Sequence, residues 1–144
     1  MLFGKRKRHV KRIMIVEDEP LVAFDNETML ADAGYDVVAT VDRYADAVAA
    51  LDRESVDLIL TDIGLTGERT GVDLACEARK RGIPVLFVTG HVPDNAAELA
   101  VGCLTKPYTG RTLKMALECV DRHLGGDLKI KPPSGLLLYP RSSG

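Results

Sequence analysis

The chain has little cysteine, no long apolar run, no strong charge of either sign and no internal repeat. Each absence closes off a class of function. Cys76, Cys103 and Cys119 stand far apart and form neither a CxxC pair nor a Cys/His cluster. They make no disulfide framework and no zinc site, and they fit reduced thiols in a cytoplasmic protein. After the N-terminal charges the only apolar residues are Ile13 to Val16, too few for a signal peptide or a membrane span. A formal net charge of −2 gives no whole-chain attraction to nucleic acid or membrane. No GxGxxG or GKS/GKT loop is present, so the usual cradles for nucleotide phosphates are missing.

What is there is the material of one globular domain. The 144 residues are 46% hydrophobic and 28% charged, which leaves little room for a second domain. A basic run, Lys5-Arg6-Lys7-Arg8 and then Lys11-Arg12, marks residues 1–11 as an N-terminal arm. It is either a contact for phosphates or acidic lipids or a solvated, mobile terminus.

From residue 12 to 124, short β-branched runs alternate with amphipathic segments. Strands are expected at Ile13–Val16, Tyr35–Val41, Val56–Thr61, Pro84–Val88 and Val101–Leu104. Pro20 opens the first helix, where a missing N–H costs nothing, and Gly34 ends it. Leu21, Phe24, Thr28 and Ala31 share one face of that helix and are expected to point inward. Further helices are expected over Tyr44–Leu51, Val72–Lys80 and Arg111–Leu124. In the last, Leu113, Ala116, Leu117, Val120 and Leu124 follow the core-facing spacing. This alternation predicts an α/β fold, a doubly wound, five-stranded parallel sheet in the flavodoxin-like order 2-1-3-4-5. The tail, 125–144, is either disordered or folded back through Leu136-Leu137-Leu138-Tyr139.

In such sheets ligands gather at the carboxyl ends of the strands. Glu17-Asp18 follow the first strand directly, and Asp62 follows the third. Two unit charges about 4 Å apart repel by roughly 4 kcal/mol at an effective dielectric of 20. A cation is needed to offset this, and Mg²⁺ suits: it takes one or two carboxylates and bridges phosphate oxygens. Thr89 follows the fourth strand and Lys106 the fifth. Carboxylate, divalent metal, hydroxyl and ammonium together are what phosphoryl transfer to a carboxylate needs. A helix-capping role is open to Asp18 and an ordinary turn role to Thr89.

IMIVEDEP, LILTDIGL, VLFVTGH and LTKPY, in that order at strand ends, resemble the signature of response-regulator receiver domains of two-component signalling. The match runs from residue 12 to about 123. The resemblance implies that Asp62 is the phosphoacceptor, fed from a phosphohistidine on a sensor histidine kinase or phosphotransfer protein. It implies Mg²⁺ held by Asp18, Asp62 and the Gly64 carbonyl, with Glu17 acting through water. It also implies that Thr89 and Lys106 contact phosphoryl oxygens, and that Lys106-Pro107 is cis. The chain is then a phosphoacceptor rather than an enzyme. With no effector domain after Leu124, its output is expected through a protein target, not specific DNA binding or membrane insertion.

Some positions depart from the family pattern. Thr66 replaces a usual proline, and Cys103 stands where a switch Tyr or Phe is common. The stretch between Thr89 and Lys106 is short, so the fourth helix is expected to span only a turn or two within Pro93–Ala100. Switching is therefore expected in the segment beginning at Gly90 and His91, since a helix that short is marginal. His91 faces either the phosphoryl site or solvent. Phe87-Val88-Thr89-Gly90-His91 is similar to the FATG-type motif of a subgroup of alphaproteobacterial stand-alone receivers. The alternative function is a phosphorylation-independent adaptor or kinase-modulating binding protein. A haloacid-dehalogenase-like phosphatase would need a second Asp where Gly64 stands.

Overall fold

Among the described residues, the alternation of β-branched and amphipathic segments resolves into eleven elements. A computed structural model describes residues 8–65, 67, 69–127 and 129–140. In chain order they are β1 (Arg12–Val16), α1 (Pro20–Asp32), β2 (Asp36–Val41), α2 (Tyr44–Arg53), β3 (Leu58–Asp62) and α3 (Gly71–Lys80). Then come β4 (Val85–Thr89), α4 (Ala96–Leu99), β5 (Gly102–Thr105), α5 (Gly110–Leu124) and β6 (Leu136–Leu138). Thr66 and the basic residues Lys5 to Lys7 lie outside the described residues.

The sheet order is β2-β1-β3-β4-β5-β6. The five parallel strands stand in the expected 2-1-3-4-5 order, but the sheet has a sixth strand. β6 pairs antiparallel with β5, matching Gly102 to Leu138, Cys103 to Leu137 and Leu104 to Leu136. The tail folds back because Leu136 finds a buried place with Leu104, Leu113 and Leu117, and because β5 otherwise presents an open edge. Gly102 is needed at this junction: a Cβ there would lie 2.4 Å from the Leu137 carbonyl oxygen.

Helices cover both faces. On one, Ile13, Ile15, Leu58, Leu60 and Leu86 pack with Leu30 of α1 and with Leu113, Ala116, Leu117 and Val120 of α5. On the other, Met14, Ile59, Val85 and Phe87 pack with Ala47 and Leu51 of α2 and with Leu74 and Ala78 of α3. The face expected to be inward on α1 is the wrong one. Leu21 and Phe24 are 79% and 65% exposed, while Ala23, Asn26 and Leu30 are buried. Apolar residues surround α1 on most sides, so periodicity did not single out a face.

The chain entering β1 is held by two carboxylates. Asp121 Oδ1 on α5 accepts the backbone N–H groups of His9 and Val10 at 2.6 and 2.7 Å. Asp57 Oδ2 accepts those of Lys11 and Arg12. Arg8 lies 4.6 Å over the Tyr35 ring, and Arg12 bridges Asp36 and Glu54. In the described part of the basic run, the Arg8 and Arg12 side chains are thus taken up by partners within the chain.

Candidate functional site

The carboxyl edge of the sheet places the site. Val16 of β1 is in register with Thr61 of β3, so Glu17-Asp18 and Asp62 emerge side by side. One carboxylate oxygen from each of Glu17, Asp18 and Asp62 can be chosen so that all three lie within 4.8 Å of one another. The N-cap of α1 is Glu19, not Asp18, and its side chain makes no capping bond. Gly71 lets α3 start against this edge: a Cβ there would lie 2.1 Å from the Asp62 carbonyl oxygen. The Thr70 and Asp73 side chains close a capping box that fixes the same helix start.

Lys106 reaches into the acids from the end of β5. Its Nζ donates to Asp62 Oδ2 at 2.8 Å and to Glu17 Oε1 at 3.2 Å. The Lys106-Pro107 bond is cis, as expected, and the Lys106 N–H donates to the Thr89 carbonyl at 2.8 Å. Gly64 N–H donates to Asp62 Oδ1 at 3.2 Å. Glu17 is buried and also accepts from Glu19 N–H. Burial raises the Glu17 pKa above the usual carboxylate range, against the lowering pull of the Glu19 N–H and Lys106. Burial works to lower the Lys106 pKa, but its hydrogen bonds and charge contacts with Asp62 and Glu17 outweigh this and raise it. Lys106 is therefore held as a cation between two acids, a good arrangement for meeting a polyanionic group.

The remaining expected residues are nearby but differently engaged. The Thr89 hydroxyl donates to the His91 carbonyl and accepts the His91 N–H, at 3.0 and 3.1 Å. It closes a turn at the end of β4, the ordinary turn role that was open to this threonine. Gly90 and His91 are exposed, and space around the Gly90 Cα is open. α4 is a four-residue helix with no side-chain cap, as short as expected. Cys103 is fully buried, and desolvation pushes its thiol up to about 11, so it is an inert core residue. All three cysteines are free.

One contact escaped the sequence. Tyr108 Oη donates to Asn26 Oδ1 at 3.1 Å, tying the turn after Lys106 to α1. The signal was an asparagine inside a helix, a poor helix former that asks for a partner. A groove of about 510 Å³ runs between α1 and that turn, lined by Glu19, Val22, Asp25, Met29 and Pro107 among others. Of the two alternatives open to the tail, it takes the folded-back one, with Tyr139 packed beside the Cys103 core.

The family model described as the response regulator receiver domain matches residues 13–118. Sensory transduction protein RegX3 of Mycobacterium tuberculosis H37Rv is 33% identical over 131 residues, covering 87% of this chain and 56% of that protein. Transcriptional regulatory protein PdtaR of the same strain is 31% identical over 114 residues, covering 75% of this chain and 55% of its own length. The chain thus spans about half the length of these relatives. Among solved structures, the response regulator PhyR from Brucella abortus superposes with a TM-score of 0.69 at 29% identity, covering 83% of this chain and 51% of that one. The receiver domain of a diguanylate cyclase from Desulfovibrio desulfuricans G20 gives 0.69 at 28%, covering 79% and 95%. No helix among the described residues is long and apolar enough to cross a membrane.

Proposed function

The chain belongs to the response-regulator receiver family, and on that premise we propose that it takes a phosphoryl group onto Asp62 from a phosphohistidine on a sensor histidine kinase or phosphotransfer protein. The observation that carries this reading is Lys106 Nζ bridging Asp62 and Glu17 inside a cluster of three acids. An Asp62 oxygen forms the new bond to phosphorus while the bond from phosphorus to the histidine nitrogen breaks, its electron pair returning to the imidazole. Lys106 is placed to exchange its contact with Asp62 for one with a phosphoryl oxygen. The Thr89 hydroxyl, now turned to His91, can donate to another.

The hard, oxygen-only donor set of Glu17, Asp18 and Asp62 fits Mg²⁺; Asp18, Asp62 and the Gly64 carbonyl would hold it directly and Glu17 through water. When bound, the ion supplies positive charge to the carboxylates and to the phosphoryl oxygens. We read the chain as a phosphoacceptor working through phosphorylation-dependent protein contacts, not as a turnover enzyme. Free cysteines support a cytoplasmic setting.

The test is intact-mass measurement after treatment with acetyl phosphate. One added phosphoryl group is expected with Mg²⁺ and none after chelation. No gain under either condition would favour the phosphorylation-independent adaptor.

Docking of the phosphodonor is expected on α1, which leads away from the acids and exposes Leu21 and Phe24. Placing a charge at the centre of an apolar contact costs on the order of 2 kcal/mol or more, roughly thirtyfold in affinity. Phe24→Glu should therefore slow phosphotransfer from a cognate kinase by about that factor. Phosphorylation by acetyl phosphate, which needs no docking surface, should keep its rate. An equal loss with both donors would remove α1 from the docking surface.

A further inference from the structure

Resting on the phosphoacceptor reading, we propose that the C-terminal strand β6 is a positioning element for Lys106, and that filling the acid site is felt at β6 in return. The connection is short and made of the backbone. Thr105 immediately precedes Lys106, and both its N–H and its hydroxyl donate to the Gly135 carbonyl, at 2.9 and 3.2 Å. One residue on, the Lys106 N–H is fastened to Thr89 of β4. The turn that aims the lysine is therefore held on one side by the end of β4 and on the other by the tail. Ser134 and Gly135 share a cleft of about 400 Å³ with Lys106, Pro107, Tyr108 and Thr109.

The tail is attached firmly enough to bear on Lys106 and weakly enough to respond. Holding it are the three-residue β6 ladder, the buried Leu136 side chain, the Tyr139 N–H to the Val101 carbonyl at 2.9 Å, and the Tyr139 carbonyl against His123 Nε2 at 2.7 Å. Working against it is the Tyr139 hydroxyl, buried without a hydrogen-bond partner among the described residues. A short edge strand with such an opposing cost belongs to the low-stability end of a fold. Drawing Lys106 from the acids onto a phosphoryl group pulls on the Thr105–Gly135 link, and linkage requires the coupling to run both ways.

The hydrogen-bonded pairs 105–135 and 101–139 alternate along the ladder, which makes Cys103 and Leu137 the pair between them. The Leu137 side chain is 49% exposed, so Leu137→Pro removes a ladder donor without opening the core, and Leu137→Thr is its strand-compatible control. The full chain is studied by amide hydrogen exchange and by calorimetric titration with Mg²⁺ and beryllofluoride, a phosphoryl mimic. In the parent, the mimic should change exchange of the 136–139 amides by about fivefold, the low end of coupling between sites. Leu137→Pro should expose those amides and weaken the mimic by a similar factor, with Leu137→Thr staying near the parent. Should α5 amides also lose protection in the proline variant, Gly135→Ala takes its place, since Gly135 has a φ of +93° that alanine rarely adopts. A freed tail with unchanged affinity would overturn the proposal and leave the phosphoacceptor reading intact. A parent that binds neither Mg²⁺ nor the mimic would overturn both.

Discussion

An Asp62→Asn protein is expected to gain no phosphoryl group from acetyl phosphate and Mg²⁺, with the rate falling at least about a thousandfold, or about 4 kcal/mol of barrier. The amide is a far poorer nucleophile than a carboxylate. Glu17 lies within reach of Asp62, but its side chain is only 3% exposed and its two oxygens are engaged by Lys106 and by the Glu19 N–H. Burial further disfavours its charged, nucleophilic form. The substitution also removes one carboxylate from the three-acid cluster, so Mg²⁺ affinity should fall as well. Lys106 keeps its partner in Glu17, and the fold should survive. Intact mass reads the first effect, and a thermal melt near that of the parent certifies the second. Full phosphoryl gain in the folded variant would move the acceptor to another residue.

Asp121→Ala, although away from the site, is expected to be strongly destabilising, by about 2–4 kcal/mol. Domains of this size are stable by only about 5–15 kcal/mol, so this is a large share. Asp121 is 1% exposed, and its Oδ1 takes two backbone donors from the segment that delivers β1 into the middle of the sheet. Truncation leaves the N–H groups of His9 and Val10 without their acceptor, and Val10 is itself buried. Asp121→Asn keeps an oxygen and should cost about half as much. Urea denaturation gives the measurement. A loss below about 1 kcal/mol would mean that the entry to β1 is held by Asp57 and the Arg8–Tyr35 contact instead.

These two aspartates show what reading a sequence can and cannot do. Asp62 was legible because it directly follows an apolar strand, and strand ends are where a parallel sheet collects its chemistry. Asp121 was not, because it adjoins a core stripe on α5 and reads as a surface charge next to Val120. Only the return of residues 9 and 10 to α5, more than a hundred positions away in sequence, gives its carboxylate two donors. The α1 face failed for a different reason. Leu21, Val22, Ala23, Phe24, Met29, Leu30 and Ala31 leave no polar side to define an inner one, so the packing of α1 against β1 and α5 made the choice.

The sequence by itself determined the alternation of five strands with their helices, the brevity of α4, and the three strand ends that deliver Glu17, Asp18, Asp62 and Lys106. Those follow from local pattern: apolar runs of strand length, caps and glycines between them, and polar residues where each run stops. Tertiary structure alone decided which side of α1 is buried, that Asp121 pins the N-terminal segment, and that the tail becomes a sixth strand. Each of these depends on a partner distant in sequence whose backbone donors, open edge or apolar surface exist only once the sheet has formed. Leu136–Leu138 carry the composition of a strand, but only the exposed edge of β5 gives them something to pair with.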